Sequence, residues 1–149
     1  MKHDSLHQQA IREITERLIS TGGMDGAPEN CPGMKERVVR LIGLLRSAMY
    51  PHIFGTSSRR GSAASAIAVS YNLQSAAELL EQILATLQPE RSEDEIDEVV
   101  LRFLEQIPEI KACLETDIQA AYDGDPAAIS CDEIMLAYPA FEAISIYRM

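Results

Sequence analysis

The sequence has no tryptophan, only 5% aromatic residues, and no clear strand-like alternation of polar and apolar residues. A half-buried strand favours aromatic and β-branched side chains. A core built mostly from Leu, Ile, Val and Ala therefore points to helices. No apolar run approaches the ~20 residues needed to cross a bilayer, and residues 61–70 (GSAASAIAVS) are small and only mildly apolar. The first residues, MKHDSLHQQAIRE, contain no apolar h-region, so a signal peptide is not expected. Positive charge is scarce too: 13 Lys and Arg face 23 Asp and Glu, a net charge of −10. Such a chain repels phosphate backbones, which argues against nucleic-acid binding. The doublet Arg59-Arg60 is too short to form a basic patch. Three cysteines, Cys31, Cys113 and Cys131, form no CxxC pair. They read as reduced thiols of a cytoplasmic protein rather than a disulfide framework. P-loop, G-x-G-x-x-G, H-E-x-x-H and G-x-S-x-G signatures are all missing.

What is present is helical spacing. The 149 residues, 46% apolar and 24% charged, suit one domain of ordinary size. A first helix is predicted over residues 4–20, where Leu6, Ala10, Ile14 and Leu18 recur every fourth position. Residues 21–33 (TGGMDGAPENCPG) form a Gly/Pro linker, so residues 1–33 are expected to be a helical arm and linker, and residues 34–149 the main helical domain. A second helix is predicted over residues 34–49, facing inward through Val38, Leu41, Leu45 and Ala48, and ended by Tyr50-Pro51. The third, over residues 62–87, carries Ala66, Val69, Leu73, Ala76, Leu80, Ile83 and Leu87 at alternating spacings of 3 and 4, a heptad stripe suited to helix packing. Ser92 and Glu95 form a capping box for a fourth helix, residues 92–106, with Ile96, Val99, Phe103 and Ile107 inward. Pro108 is expected to open a fifth, running to residue 122 through Ile110, Leu114, Ile118 and Ala121. Gly124 suits a left-handed closing position. Ser130 and Glu133 make a second capping box and open a sixth helix. Tyr138-Pro139 ends that helix, and a seventh is expected from Phe141. The expected fold is thus all-α, a bundle of six to seven helices.

Few side chains suggest chemistry by themselves. His3 and His7 stand four apart and could share a metal on one helical face, or simply belong to a polar terminus. His52 reads as a surface-loop histidine or as a residue lining a site. Asp125-Pro126 reads first as an N-cap followed by a first-turn proline. Asp117 is either a buried carboxylate with perturbed titration or a solvated one. Tyr138 and Tyr147 read as core or interface aromatics. Arg148 is a candidate carboxylate clamp or a cation near a helix end.

Residues 114–149 nevertheless carry an ordered series of short motifs. Leu114, Asp117, Ile118 and Ala120 come first, then Asp125-Pro126-Ala127-Ala128. Next come Glu133-Ile134-Met135 and Tyr138-Pro139, and Tyr147-Arg148-Met149 ends the series. Upstream lie residues 44–55 (LLRSAMYPHIFG) and 107–110 (IPEI). In order and spacing the stretch 34–149 resembles the helical N-terminal domain of bacterial serine O-acetyltransferases, with Ala140 standing where many relatives have Gly. The resemblance implies a helical domain that precedes a left-handed β-helix, and a chain that stops before that β-helix. It implies transfer of acetyl from acetyl-CoA, the co-substrate, to L-serine, giving O-acetylserine for cysteine biosynthesis. A β-helix histidine would act as the general base, so no catalytic residue, bound cofactor or metal is expected in these 149 residues. Asp125 would contribute to the serine pocket, with Asp117 and Arg148 as weaker substrate-binding candidates. The family's assembly implies a homo-oligomer, a trimer or hexamer when full length, with no membrane partner. The reading from a different class is a non-catalytic helical interaction or oligomerisation module.

Overall fold

In the computed structural model, which describes residues 11–17, 31, 33–55 and 63–149, every regular element is helical. Residues 11–17 form α1. The later elements are α2 (Met34–Met49), α3 (Ala63–Leu87), α4 (Glu93–Gly124), α5 (Cys131–Ala137) and α6 (Pro139–Arg148). The chain divides into two units, Met1–Cys31 and Pro32–Met149. His3, His7 and most of the 21–33 linker lie outside the described residues. In the second unit α2 packs most extensively on α3, and α4 gathers α3, α5 and α6 around it.

The core is aliphatic, as the composition predicts. Leu41, Leu45, Ala76, Leu79, Ile83, Ile107, Leu114, Ile118, Ile134, Met135 and Phe141 are buried in one cluster, with Leu114 fully covered. The predicted faces are right in outline and displaced in detail. On α3 the buried apolar residues are Ala76, Leu79 and Ile83, while Ala66 and Leu87 at the ends of the heptad stripe are exposed. On α4 Val100 is inward and Val99 faces out; on α2 Val38 is exposed.

The two helices predicted on either side of Pro108 are one helix of 32 residues. Proline lacks the N–H that would reach the Leu104 carbonyl, and its ring crowds that carbonyl. Pro108 lies on the exposed side, however, where water can take up the freed carbonyl. On the other side Ile96, Val100, Ile107, Leu114 and Ile118 bury one continuous face. Burial of that face on both sides of the proline outweighs one missing hydrogen bond. Gly124 is the last residue of α4 and is not left-handed. Among the described glycines the positive φ belongs to Gly33, at 76°, which precedes α2. Only glycine takes that conformation without steric cost.

The α4 start is as predicted. The Ser92 hydroxyl accepts from the Glu95 N–H, and the Glu95 carboxylate accepts from the Ser92 N–H at 2.9 Å. That N–H, and after it the Ser92 hydroxyl, hold Glu95 below the usual glutamate range. A folded value below the unfolded one means that this contribution is present at neutral pH and lost as pH falls through the folded value. Ser92→Ala is expected to cost about 1 kcal/mol in urea unfolding at neutral pH, with the difference narrowing in acid. At α5 only half the box forms. The Ser130 hydroxyl accepts from Glu133 N–H, while the Glu133 carboxylate reaches back to Ile129 N–H at 2.7 Å instead of Ser130. Tyr138-Pro139 breaks the chain as expected, and α6 begins at Pro139 rather than Phe141. No helix among the described residues is long and apolar enough to cross a membrane.

Candidate functional site

The sequence places Asp125 at the end of α4, before Pro126. A residue before proline avoids helical geometry, and Asp125 is accordingly extended (φ −115°, ψ 102°). It does not N-cap a helix, in contrast to the expectation from its Asp-Pro spacing. It closes a turn instead: the Ala128 N–H donates to the Asp125 carbonyl at 3.0 Å, and the Ala127 N–H donates to Oδ1 at 2.9 Å. The second carboxylate oxygen, Oδ2, accepts from the Tyr138 hydroxyl at 2.5 Å. That hydroxyl, and then the Ala127 N–H, hold Asp125 below the usual carboxylate range. The same bond, with burial and the charges of Asp125 and Glu133, pushes Tyr138 up to about 12. The carboxylate is held by two neutral donors, both of which favour its charged form.

The other two candidates meet each other. Arg148, in the last turn of α6, donates from Nε to Asp117 Oδ2 and from Nη2 to Oδ1, both at 3.0 Å. This parallel pair is the geometry for which a guanidinium is suited. Asp117 is neither isolated in the core nor free in solvent: its side chain is 24% exposed, and both its oxygens are engaged. The pair ties the end of α6 to the C-terminal part of α4. Asp117 and Tyr138 also border a depression of about 230 Å³ with Ile118, Ala121, Phe141 and Ile144. Tyr147, in contrast, is 80% exposed.

One residue that the sequence did not single out organises the neighbouring structure. Arg46 of α2 donates to Ser145 Oγ from Nε at 3.0 Å and from Nη2 at 2.6 Å, and from Nη2 to the Glu142 carbonyl at 3.1 Å. Its guanidinium carbon lies 5.9 Å and 5.8 Å from the ring centres of Phe54 and Phe141, which stack parallel to each other. The signal was the arginine of LLRSAMYPHIFG. The rest of that segment explains itself here. The Ile53 and Phe54 N–H groups donate to the Tyr50 carbonyl, so the chain turns and sets Tyr50 edge-on against Phe54 and Phe141. Gly55 closes the turn, since a Cβ there would meet the Pro51 carbonyl oxygen at 2.6 Å.

His52 lies in this turn and lines a cleft of about 400 Å³ with Tyr50, Lys111, Glu115, Gln119, Cys131 and Asp132. Lys111 pairs with Glu115 and sits 5.3 Å from the Tyr50 ring centre. The Tyr50 hydroxyl is buried with no hydrogen-bond partner among the described residues. Burial, then the charges of Glu115 and Asp117, push it up to about 12. The three cysteines are free. No group of three metal-ligating side chains occurs among the described residues.

Residues 60–145 match the model of the family described as "Serine acetyltransferase, N-terminal". The protein "Serine acetyltransferase, plasmid" of Synechococcus elongatus is 46% identical over 52 residues, which are 35% of this chain and 16% of that relative. The similarity thus spans about a sixth of the length of the relative.

Proposed function

Because the chain belongs to the family of serine acetyltransferase N-terminal domains, we propose that it forms the helical part of an enzyme that moves acetyl from acetyl-CoA to L-serine in the route to cysteine. In this reading its role is to form one wall of the serine pocket through Asp125 and to take part in assembly of a cytoplasmic homo-oligomer. The observation that supports it is the Asp125 carboxylate, kept charged by two neutral donors. A carboxylate in that state suits the ammonium group of an amino acid. Acetyl transfer needs a positioned base on the serine hydroxyl and a place for the thioester. The family resemblance assigns both to the β-helix domain, so the 149 residues alone are inactive. Asp117 and Arg148, being paired with each other, act on the pocket through the position of α6 rather than by touching serine.

A second reading, a helical interaction module without catalysis, is favoured by one observation. Ile67 and Tyr71 of α3 are 71% and 68% exposed beside a groove of about 520 Å³ that also includes Phe54. One experiment separates the two. Residues 34–149 are put in place of the helical domain of an active serine acetyltransferase, and coenzyme A release is measured with serine. The hybrid is expected to turn over while the isolated chain does not. A folded hybrid without activity would overturn the enzyme reading, and turnover by the isolated chain would overturn the division of labour.

A further inference from the structure

We propose that Tyr138 is a positioning residue for Asp125, fixing the orientation in which its carboxylate meets the ammonium group of the substrate amino acid. The inference rests on the serine-pocket reading of Asp125. An aspartate on a turn has two freely rotating side-chain torsions and no helix to restrict them. Here the carboxylate is gripped from two directions: by the Ala127 N–H of its own turn on Oδ1, and by the Tyr138 hydroxyl, 13 residues further on, on Oδ2. Each donor uses one lone-pair site of one oxygen, which leaves a site on each for a ligand.

Tyr138 is itself well anchored. Its N–H donates to the Ile134 carbonyl, its carbonyl accepts from the Phe141 N–H, and Pro139 restricts the backbone beyond it. Ile134 and Phe141, on either side, are 2% and 4% exposed. The phenol is thus set on a rigid junction between α5 and α6.

The choice of donor matters. A lysine or arginine at this place would orient the carboxylate but also neutralise it, and would compete with the incoming ammonium. A phenol orients it and leaves the charge. Asp117 shows the contrast: both its oxygens are taken by the Arg148 guanidinium, and its charge is matched within the protein.

The test has two parts. In the 149-residue chain, the Asp125 carboxyl is titrated by carbon-13 NMR with and without Tyr138→Phe. The phenylalanine variant is expected to titrate at higher pH, and an unchanged titration overturns the proposal. In an active serine acetyltransferase carrying this domain, Tyr138→Phe is expected to raise the serine KM about tenfold, leave the acetyl-CoA KM unchanged, and move the acid limb of kcat/KM for serine to higher pH. On an Asp125→Asn background the same change is expected to do nothing more. A general packing role would not move the serine KM and the acid limb together. If Asp125→Asn leaves the serine KM unaltered, the serine-pocket reading itself fails. If Asp125→Asn raises it and Tyr138→Phe does not, that reading stands and the positioning role alone falls.

Discussion

Arg46→Ala is expected to lower the unfolding free energy of the domain by about 3 kcal/mol. The Arg46 side chain is only 14% exposed, and its guanidinium makes three hydrogen bonds to α6 across nearly a hundred residues of sequence. Hydrogen bonds from a charged donor stabilise by roughly 1.5–3 kcal/mol each when intact, and are not additive within one group. The guanidinium also lies over the rings of Phe54 and Phe141, and that contact is lost with truncation. The Glu142 carboxylate adds little, because it stands 3.6 Å away and is 69% exposed. Ser145 limits the damage: it is fully buried, and its hydroxyl still donates to the Glu142 carbonyl in the variant. Arg46→Met separates the components, since it keeps a long apolar stem and removes the bonds. Arg46→Lys keeps the charge and removes the planar fork, and is expected to recover less than half of the loss. The measurement is urea unfolding, read as a fall in midpoint at constant slope. An alanine variant within about 0.5 kcal/mol of the parent, the range of an ordinary surface change, would mean that α6 is held by the core alone.

The role of Arg46 also marks the limit of what can be read from the residues in order. Helix signals act over three or four positions, and those are legible: the Ser92 capping box, the break at Tyr138-Pro139, and the inward residues Leu45, Ala76, Ile83, Ile107, Leu114 and Ile118. Sequence and structure part where tertiary packing overrules a local preference. Pro108 has the local character of a helix start, and only the common buried face on both sides of it keeps α4 whole. Val99 and Val100 are equally apolar, and the one that turns inward is decided by the neighbouring helices. The α3 stripe reads as one seam in the sequence, but burial shifts to Leu79 where α3 meets its neighbours.

The candidate site divides along the same line. The residue types are legible through a family-like pattern, while their partners are not. No periodicity pairs Asp117 with Arg148, 31 residues later, or Asp125 with Tyr138. Asp-Pro is also ambiguous by itself. The same two residues serve as a helix N-cap or as the closing turn of the preceding helix, and the residues downstream decide between the two. Here Ala127 and Ala128 fold back onto Asp125, and the next helix waits for Ser130.

Asp125→Ala, in an active serine acetyltransferase carrying this domain, is expected to reduce kcat/KM for serine about a hundredfold, with little change in the KM for acetyl-CoA. The loss of one partner of a charge-assisted hydrogen bond to a ligand has consequences of that order once the contact is shielded from water. The split between the two substrates carries the argument. A carboxylate that meets only the ammonium of serine contributes to serine recognition and leaves the thioester untouched. If alanine merely loosened the turn, the Ala127 N–H and the Tyr138 hydroxyl would both lose their acceptor. The junction of α4, α5 and α6 would then relax, and both Michaelis constants would rise together. Asp125→Asn is the sharper companion: it keeps the size and an acceptor oxygen for the Tyr138 hydroxyl, and removes the charge. If asparagine reproduces most of the alanine defect for serine while thermal unfolding is unchanged, charge rather than turn geometry is what the substrate reads. Wild-type serine kinetics in the asparagine variant would instead make Asp125 a purely structural residue of the turn.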